Sequence, residues 1–112
     1  MSQISTHVLD TSNGLPAAGV PITLSVLVDG AFVEIGRGVT DGDGRLKTLL
    51  GDRRLEATTY RLVFDTGAYF AARALDAFYP EASIVFVVAD RGRHHHVPLL
   101  LAPFGYSTYR GS

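Results

Sequence analysis

The feature that most constrains this chain is a hydrophobic alternation with a period of two, broken at short intervals by Gly, Pro and Asp. Residues 3–10 (QISTHVLD) set Ile4, Thr6 and Val8 against Ser5, His7 and Leu9, and the cluster Thr11-Ser12-Asn13-Gly14 interrupts them. Residues 21–28 (PITLSVLV) put Ile22, Leu24, Val26 and Val28 on one face. Successive side chains of a strand point to opposite faces, so this pattern is that of half-buried β-strands. Asp29-Gly30 is a two-residue hairpin signal leading into Phe32, Val33, Glu34 and Ile35. Asp41-Gly42-Asp43-Gly44 reads as a turn. Further strands are expected at 45–50, 58–65, 83–89, 93–101 and 104–109, with Ala102-Pro103 turning between the last two. One stretch breaks the rule. Residues 68–75 (AYFAARAL) are alanine-rich, lack Gly and Pro, and space Tyr69, Ala72 and Leu75 along one helical face. A short helix is expected there, capped by Asp65-Thr66 and stopped by Tyr79-Pro80. The sum is an antiparallel all-β domain, a two-sheet sandwich of about eight strands with one short helix, spanning residues 1–112 as a single unit.

Composition narrows what such a sandwich can do. A chain of 112 residues buries roughly 60–70% of its unfolded surface and needs no staple. The sequence contains no cysteine, which excludes disulfides, thiolate catalysis and Cys-ligated zinc. The net charge is −1 and Lys47 is the one lysine, so no basic stripe exists for nucleic acid or an anionic membrane. The opening MSQISTHVLD lacks the basic and apolar regions of a secretory signal, and the expected compartment is the cytoplasm. Charged residues make up 19%, below the usual ~25%. A surface that poor in charge suits burial in an oligomer.

Four histidines carry the candidate chemistry: His7, His94, His95 and His96. Alternation puts His94 and His96 on one face, with Pro98 and Leu100, and His95 on the other, with Val97, Leu99 and Leu101. The run Val97–Leu101 is apolar on both sides, so both faces of its strand should be covered. An imidazole at the mouth of such a strand can act as acid or base near neutral pH. The plain alternative is a set of surface histidines near a hairpin end. A zinc shared by His7, His94 and His96 is disfavoured, because no further ligand is placed for it. Arg45 directly follows the Gly44 turn, where its fork could hold an oxyanion if the turn faces a cleft. No phosphate-binding glycine loop or serine elbow is present. Spacing alone therefore yields a scaffold and a group of candidate residues, and no reaction.

Three segments go further: ISTHVLDTSNGLPAAGVP at 4–21, TDGDGRL at 40–46 and HHHVPLLLAPFGYSTYRGS at 94–112. With the strand, short helix and strand of 60–90, they make nearly the whole chain resemble the transthyretin-related proteins, and among these the 5-hydroxyisourate hydrolases. The closing Tyr-Arg-Gly-Ser is the most specific part of the likeness. The thyroid-hormone carrier of the same fold lacks it, and lacks these histidines. Two positions depart from the family pattern. His95 stands where an aromatic residue is common, and Ala102 where serine is.

The resemblance implies a transthyretin-like fold and a reaction. The six-membered ring of 5-hydroxyisourate would be opened by water to 2-oxo-4-hydroxy-4-carboxy-5-ureidoimidazoline, in urate breakdown. It implies catalytic roles for His7, Arg45, His96 and Ser112. Substrate would be held by His7, Arg45, Tyr109, Arg110 and Gly111. Leu9, Pro98, Leu100 and Ser107 would line a channel where two dimers meet in a homotetramer. The chain would end at Ser112 because its tail forms the floor of the site. Neither a metal nor a cofactor is implied, and the partition of proton transfer between His7 and His96 stays open. The rival readings are a non-catalytic small-ligand carrier of transthyretin type and an adhesive immunoglobulin-like sandwich. The latter would be expected to carry a Cys…Trp…Cys core, and this chain has neither residue.

Overall fold

A computed structural model describes residues 3–112. Among the described residues, nine strands form two sheets around one core, with one helix beside them. The first sheet runs β2 (Leu15–Pro16), β1 (Ile4–Asp10), β8 (His95–Ala102) and β9 (Gly105–Thr108), with β5 (Arg45–Leu46) also pairing with β1. The second runs β4 (Ala31–Val39), β3 (Pro21–Val28), β6 (Thr59–Phe64) and β7 (Ala82–Val87). Alternation decides which side chains enter the core. Ile4, Val8, Leu99 and Leu101 from one sheet meet Ile22, Leu24, Leu62 and Phe64 from the other, all at or below 2% exposure.

Three expectations change. The sheets are not purely antiparallel, because β1 and β8 run parallel over seven register pairs, from Ile4 opposite His95 to Asp10 opposite Leu101. Parallel neighbours need a long crossover, and here the whole second sheet supplies it. The strand expected at 45–50 pairs only through Arg45 and Leu46. Leu49 and Leu50 are both buried in the one core, which alternation along a strand would not give, since it sends adjacent side chains to opposite faces. A turn closed by Gly51 N–H donating to the Thr48 carbonyl (3.1 Å) achieves it.

The helix, α1, spans Thr66–Ala71 rather than 68–75. The Asp65 carboxylate accepts from Ala68 N–H at 3.0 Å and fixes its start. Its end is set by Ala74, whose φ is +55°, and by Leu75 N–H, which donates to the Phe70 carbonyl at 3.0 Å. Tyr69 and Phe70 are therefore the buried pair, while Ala72 and Leu75 are exposed. Tyr69 docks the helix onto β1 by donating its hydroxyl to Asp10 Oδ2 at 2.7 Å.

Candidate active site

The parallel pairing of β1 and β8 builds the site. Its register sets Ser5 beside His96, His7 beside Pro98, and Leu9 beside Leu100. These six residues share the outer face of the first sheet, because Ile4, Thr6, Val8 and the odd-numbered residues of β8 turn inward. Ser107 joins that face opposite Leu100. The face holds Leu9, Pro98, Leu100 and Ser107 as a shallow, partly apolar strip beside the polar groups.

Arg45 reaches the same face through its turn. The Asp41 carboxylate accepts from the backbone N–H groups of both Asp43 and Arg45, each at 2.9 Å. The bond from Arg45 holds the Asp41 carboxyl below its usual range. Gly44 follows with φ +75°, and a Cβ there would lie 2.4 Å from the Val8 carbonyl oxygen. Only glycine lets this turn press against β1. Arg45 is thereby delivered directly opposite His7.

The C-terminal residues fold back over β8. Gly111 N–H donates to the His96 carbonyl at 2.8 Å, forming an isolated bridge beyond β9. A Cβ on Gly111 would sit 2.5 Å from His96 Cδ2 and 3.2 Å from Pro98 Cγ. The tail backbone thus lies directly on the imidazole.

Arg45, His96 and Ser112 line one cleft of about 330 Å³, together with Ser5, Thr6, Lys47 and His94. His7 stands next to this lining, between Arg45 and Pro98 in the register. Tyr109 and Arg110 instead border a second cavity of about 260 Å³, walled by residues 84–87 of β7 and by residues 95–97. His96 borders both. The tail therefore straddles two spaces that meet at one imidazole.

Three lining residues have no role in the sequence reading, Ser5, Thr6 and Lys47, and His94 enters it only as a candidate imidazole and zinc ligand. Thr6 secures the strand pair by donating its hydroxyl to the Val97 carbonyl at 2.6 Å. Ser5 is 4% exposed, and its hydroxyl oxygen lies 2.7 Å from His94 Nε2 and 2.8 Å from His96 Nδ1. The shared face of His94 and His96 was visible in the alternation. The serine between them was not, because it comes from a strand some ninety residues away. His95 turns inward as expected, and its Nδ1–H donates to the Arg93 carbonyl at 2.9 Å. It is buried, so the picture of a purely superficial histidine run fails for this member.

Electrostatics single out His96. Burial holds its pKa below the ordinary histidine value, and the nearby positive charges of His94, Arg45 and His7 push the same way. Both effects favour the uncharged imidazole, the form able to accept a proton. Among the described residues, no group of three His, Cys, Asp or Glu side chains comes together as a metal site.

Imidazoles, an arginine and a folded-back tail gathered on the outer face of a β-sandwich make a scaffold on which protons can be moved to and from a bound molecule. The chain belongs to the HIUase/Transthyretin family, whose model matches residues 4–111. It is 43% identical over 109 residues to the 5-hydroxyisourate hydrolase of Salmonella dublin, covering 97% of this chain and 80% of that one. The structure of Klebsiella pneumoniae 5-hydroxyisourate hydrolase superposes with a TM-score of 0.87 at 41% identity, covering all of both chains. Sea bream transthyretin, in complex with thyroxine, superposes with a TM-score of 0.90 at 33% identity, over 97% of this chain and 94% of that one.

Proposed function

We propose that this protein is a hydrolase that opens the six-membered ring of 5-hydroxyisourate. The observation that carries the reading is the convergence of Arg45, His96 and Ser112 on one cleft, with His7 alongside. The relatives matched over nearly all of this chain, from Salmonella dublin and Klebsiella pneumoniae, are named 5-hydroxyisourate hydrolases. Ring opening requires an activated water, a stabilised oxyanion and a proton for the departing nitrogen. His96, kept neutral by burial, takes a proton from water. Arg45 holds the carbonyl oxygen as it becomes an oxyanion, and His7 beside it orients the ring. Tyr109, Arg110 and Gly111 bind the substrate through the folded-back tail, and Ser112 positions the water.

The working form is a homotetramer, a dimer of dimers. Two features support this. The edge strand β7 exposes Val85 and Val87, at 56% and 69%, and an unpaired edge of this kind is a template for a second copy. The strip of Leu9, Pro98, Leu100 and Ser107 beside the cleft then forms the channel between dimers, excluding bulk water from the ring.

The test is to generate 5-hydroxyisourate in place with urate oxidase and follow its decay spectroscopically, with chelator present. Accelerated decay that is lost in His96→Asn supports both the reaction and its independence of metal. Unchanged decay by a folded tetramer overturns the reading. It would move the protein to the carrier class, to which the scaffold of the thyroxine-bound transthyretin belongs.

A further inference from the structure

Ser5 is almost fully buried, and its hydroxyl touches two imidazole nitrogens at once. A serine hydroxyl has a single hydrogen to donate and lone pairs to accept with. Accepting from both rings would leave its own hydrogen buried with no acceptor among the described residues, so it donates to one ring and accepts from the other. Two arrangements satisfy this. In the first, His96 Nδ1–H donates to Ser5, whose hydroxyl donates to a bare His94 Nε2. In the second, His94 Nε2–H donates to Ser5, whose hydroxyl donates to a bare His96 Nδ1. Both rings must change together, because Ser5 has no second hydrogen. The tautomer of one imidazole is tied to that of the other.

The two rings differ in surroundings. His96 is half-buried, packed under Gly111, while His94 is exposed. Among the described residues, the charged and titratable groups around His96 are His7 from β1, Arg45 from β5, Lys47 just beyond it, His94, His95 next to it in the chain, and Tyr109 and Arg110 from the tail. Neither cavity that His96 borders is lined by a carboxylate side chain among the described residues. A positive charge is thus costly on half-buried His96, while the ring of His94 is open to solvent.

We propose that Ser5 and His94 form a proton relay behind His96, with Ser5 the positioning residue that transmits the proton. The relay rests on the hydrolase reading above and deepens it. As water attacks the ring carbonyl, His96 Nε2 takes the water's proton. His96 Nδ1 passes its own proton to Ser5 Oγ, and the Ser5 hydroxyl proton moves to His94 Nε2. The charge now rests on His94, and His96 is neutral with its proton on Nε2. When the ring C–N bond breaks, that Nε2 proton goes to the departing nitrogen. In the same step the chain runs backwards, from His94 through Ser5 to His96 Nδ1, so His96 regains a proton on Nδ1 as it gives up the one on Nε2. One proton leaves water, one reaches nitrogen, and the relay returns to its starting state. A single imidazole thereby serves as base and then acid without holding a buried charge between the steps.

The experiment compares wild type with Ser5→Ala, Ser5→Thr, His94→Gln and the Ser5→Ala/His94→Gln double variant. Each is first checked for an unchanged melting temperature. The expected result is a kcat loss of about tenfold to a hundredfold in Ser5→Ala and in His94→Gln, with KM nearly constant. The double variant should be no worse than either single one, and Ser5→Thr, which keeps the hydroxyl, should recover most of the rate. A His94→Gln variant with wild-type kcat and pH profile, or losses that multiply in the double variant, would overturn the relay. A second arm needs no substrate. Imidazole ¹⁵N spectra across pH should show the tautomer of His96 following the titration of His94 in wild type and losing that dependence in Ser5→Ala. Independent titration of the two rings in wild type sinks the relay. Coupled titration in a protein that does not hydrolyse 5-hydroxyisourate leaves the linkage standing and removes the reaction.

Discussion

Two buried polar clusters lie on opposite sides of β1, and they are put to different uses. On the inner side, Asp10 accepts from Tyr69 Oη at 2.7 Å and from the Ser12 backbone N–H at 2.9 Å, and the Ser12 hydroxyl adds a third bond. The Arg73 guanidinium lies 3.7 Å above the Tyr69 ring. On the outer side, Ser5 links His94 and His96. The inner cluster is a carboxylate with its acceptors filled and a cation nearby, and its task is to pin α1 to the sheet. The outer cluster is made of imidazoles whose protons can move, with a ring nitrogen of His96 left free beside a cleft. Polar burial that satisfies every valence makes structure. Polar burial that leaves a proton-accepting valence open makes a site.

The comparison breaks most sharply at His96. His96→Asn should cost about a thousandfold or more in kcat, within the range expected for losing a positioned acid–base group. The melting temperature should move little, which enzyme kinetics and thermal unfolding on the same preparation will check. Gly111→Ala comes next. Its methyl group would displace the His96 ring, and a misplacement on the scale of 1 Å costs about a hundredfold. Substrate turnover should fall while the fold survives, since the tail is exposed on its other side. A variant with full activity would show that the tail does not set the imidazole.

Tyr69→Phe tests the other cluster and should reverse the pattern. It strips Asp10 of a buried donor, at a cost of about 1–3 kcal/mol in stability by urea unfolding. Activity per folded molecule should be kept. The same variant has a pH signature. Burial, reinforced by the bond to Asp10, pushes the Tyr69 phenol up to about 12. A raised folded-state pKa means the stability it contributes is intact below the unfolded value near 10 and is lost as pH rises towards 12. Tyr69→Phe should lose that alkaline step. At the acid end, burial works against the Asp10 carboxylate, but its hydrogen bonds from Ser12 and Tyr69 prevail and hold its pKa below the usual range. Its contribution is present above the unfolded value near 3.8 and fades as pH falls through the folded one.

The smallest expected effect is a shift in the pH profile. Because His96 titrates below the ordinary histidine value, the acid limb of kcat/KM should lie below pH 6.5 in wild type. Arg45→Gln removes one of the charges that depress it, so the limb of the residual activity should move upward, towards that value. A limb that stays in place would mean burial alone sets the titration of His96.

Much of the scaffold was legible in the chain. The alternation in QISTHVLD and PITLSVLV, the Asp29-Gly30 hairpin and the Asp41–Gly44 turn each report a local backbone preference, and local preferences are written in adjacent residues. So was the division of β8, with His95 turned inward and His96 outward. The misreadings share a cause. The segment 45–50 reads as a short strand following the Asp41–Gly44 turn, yet tertiary packing draws both Leu49 and Leu50 into the core and bends it into a turn. The helix looked longer because alanine permits helix, yet Ala74 takes up a left-handed conformation that lets Leu75 bond back to Phe70.

By itself, then, the sequence determined that this protein is an all-β sandwich, which strand faces carry His7 and His96, and, through its three motif segments, which family it belongs to. Only the tertiary structure decided that β1 and β8 lie parallel, and with that decision came the site. The parallel register sets Ser5 beside His96, brings Arg45 opposite His7, and lets Gly111 rest on an imidazole. Face is a property of alternation and can be read along one strand. Register joins residues far apart in the chain, and it is set by the total packing of two sheets rather than by any segment's own preference.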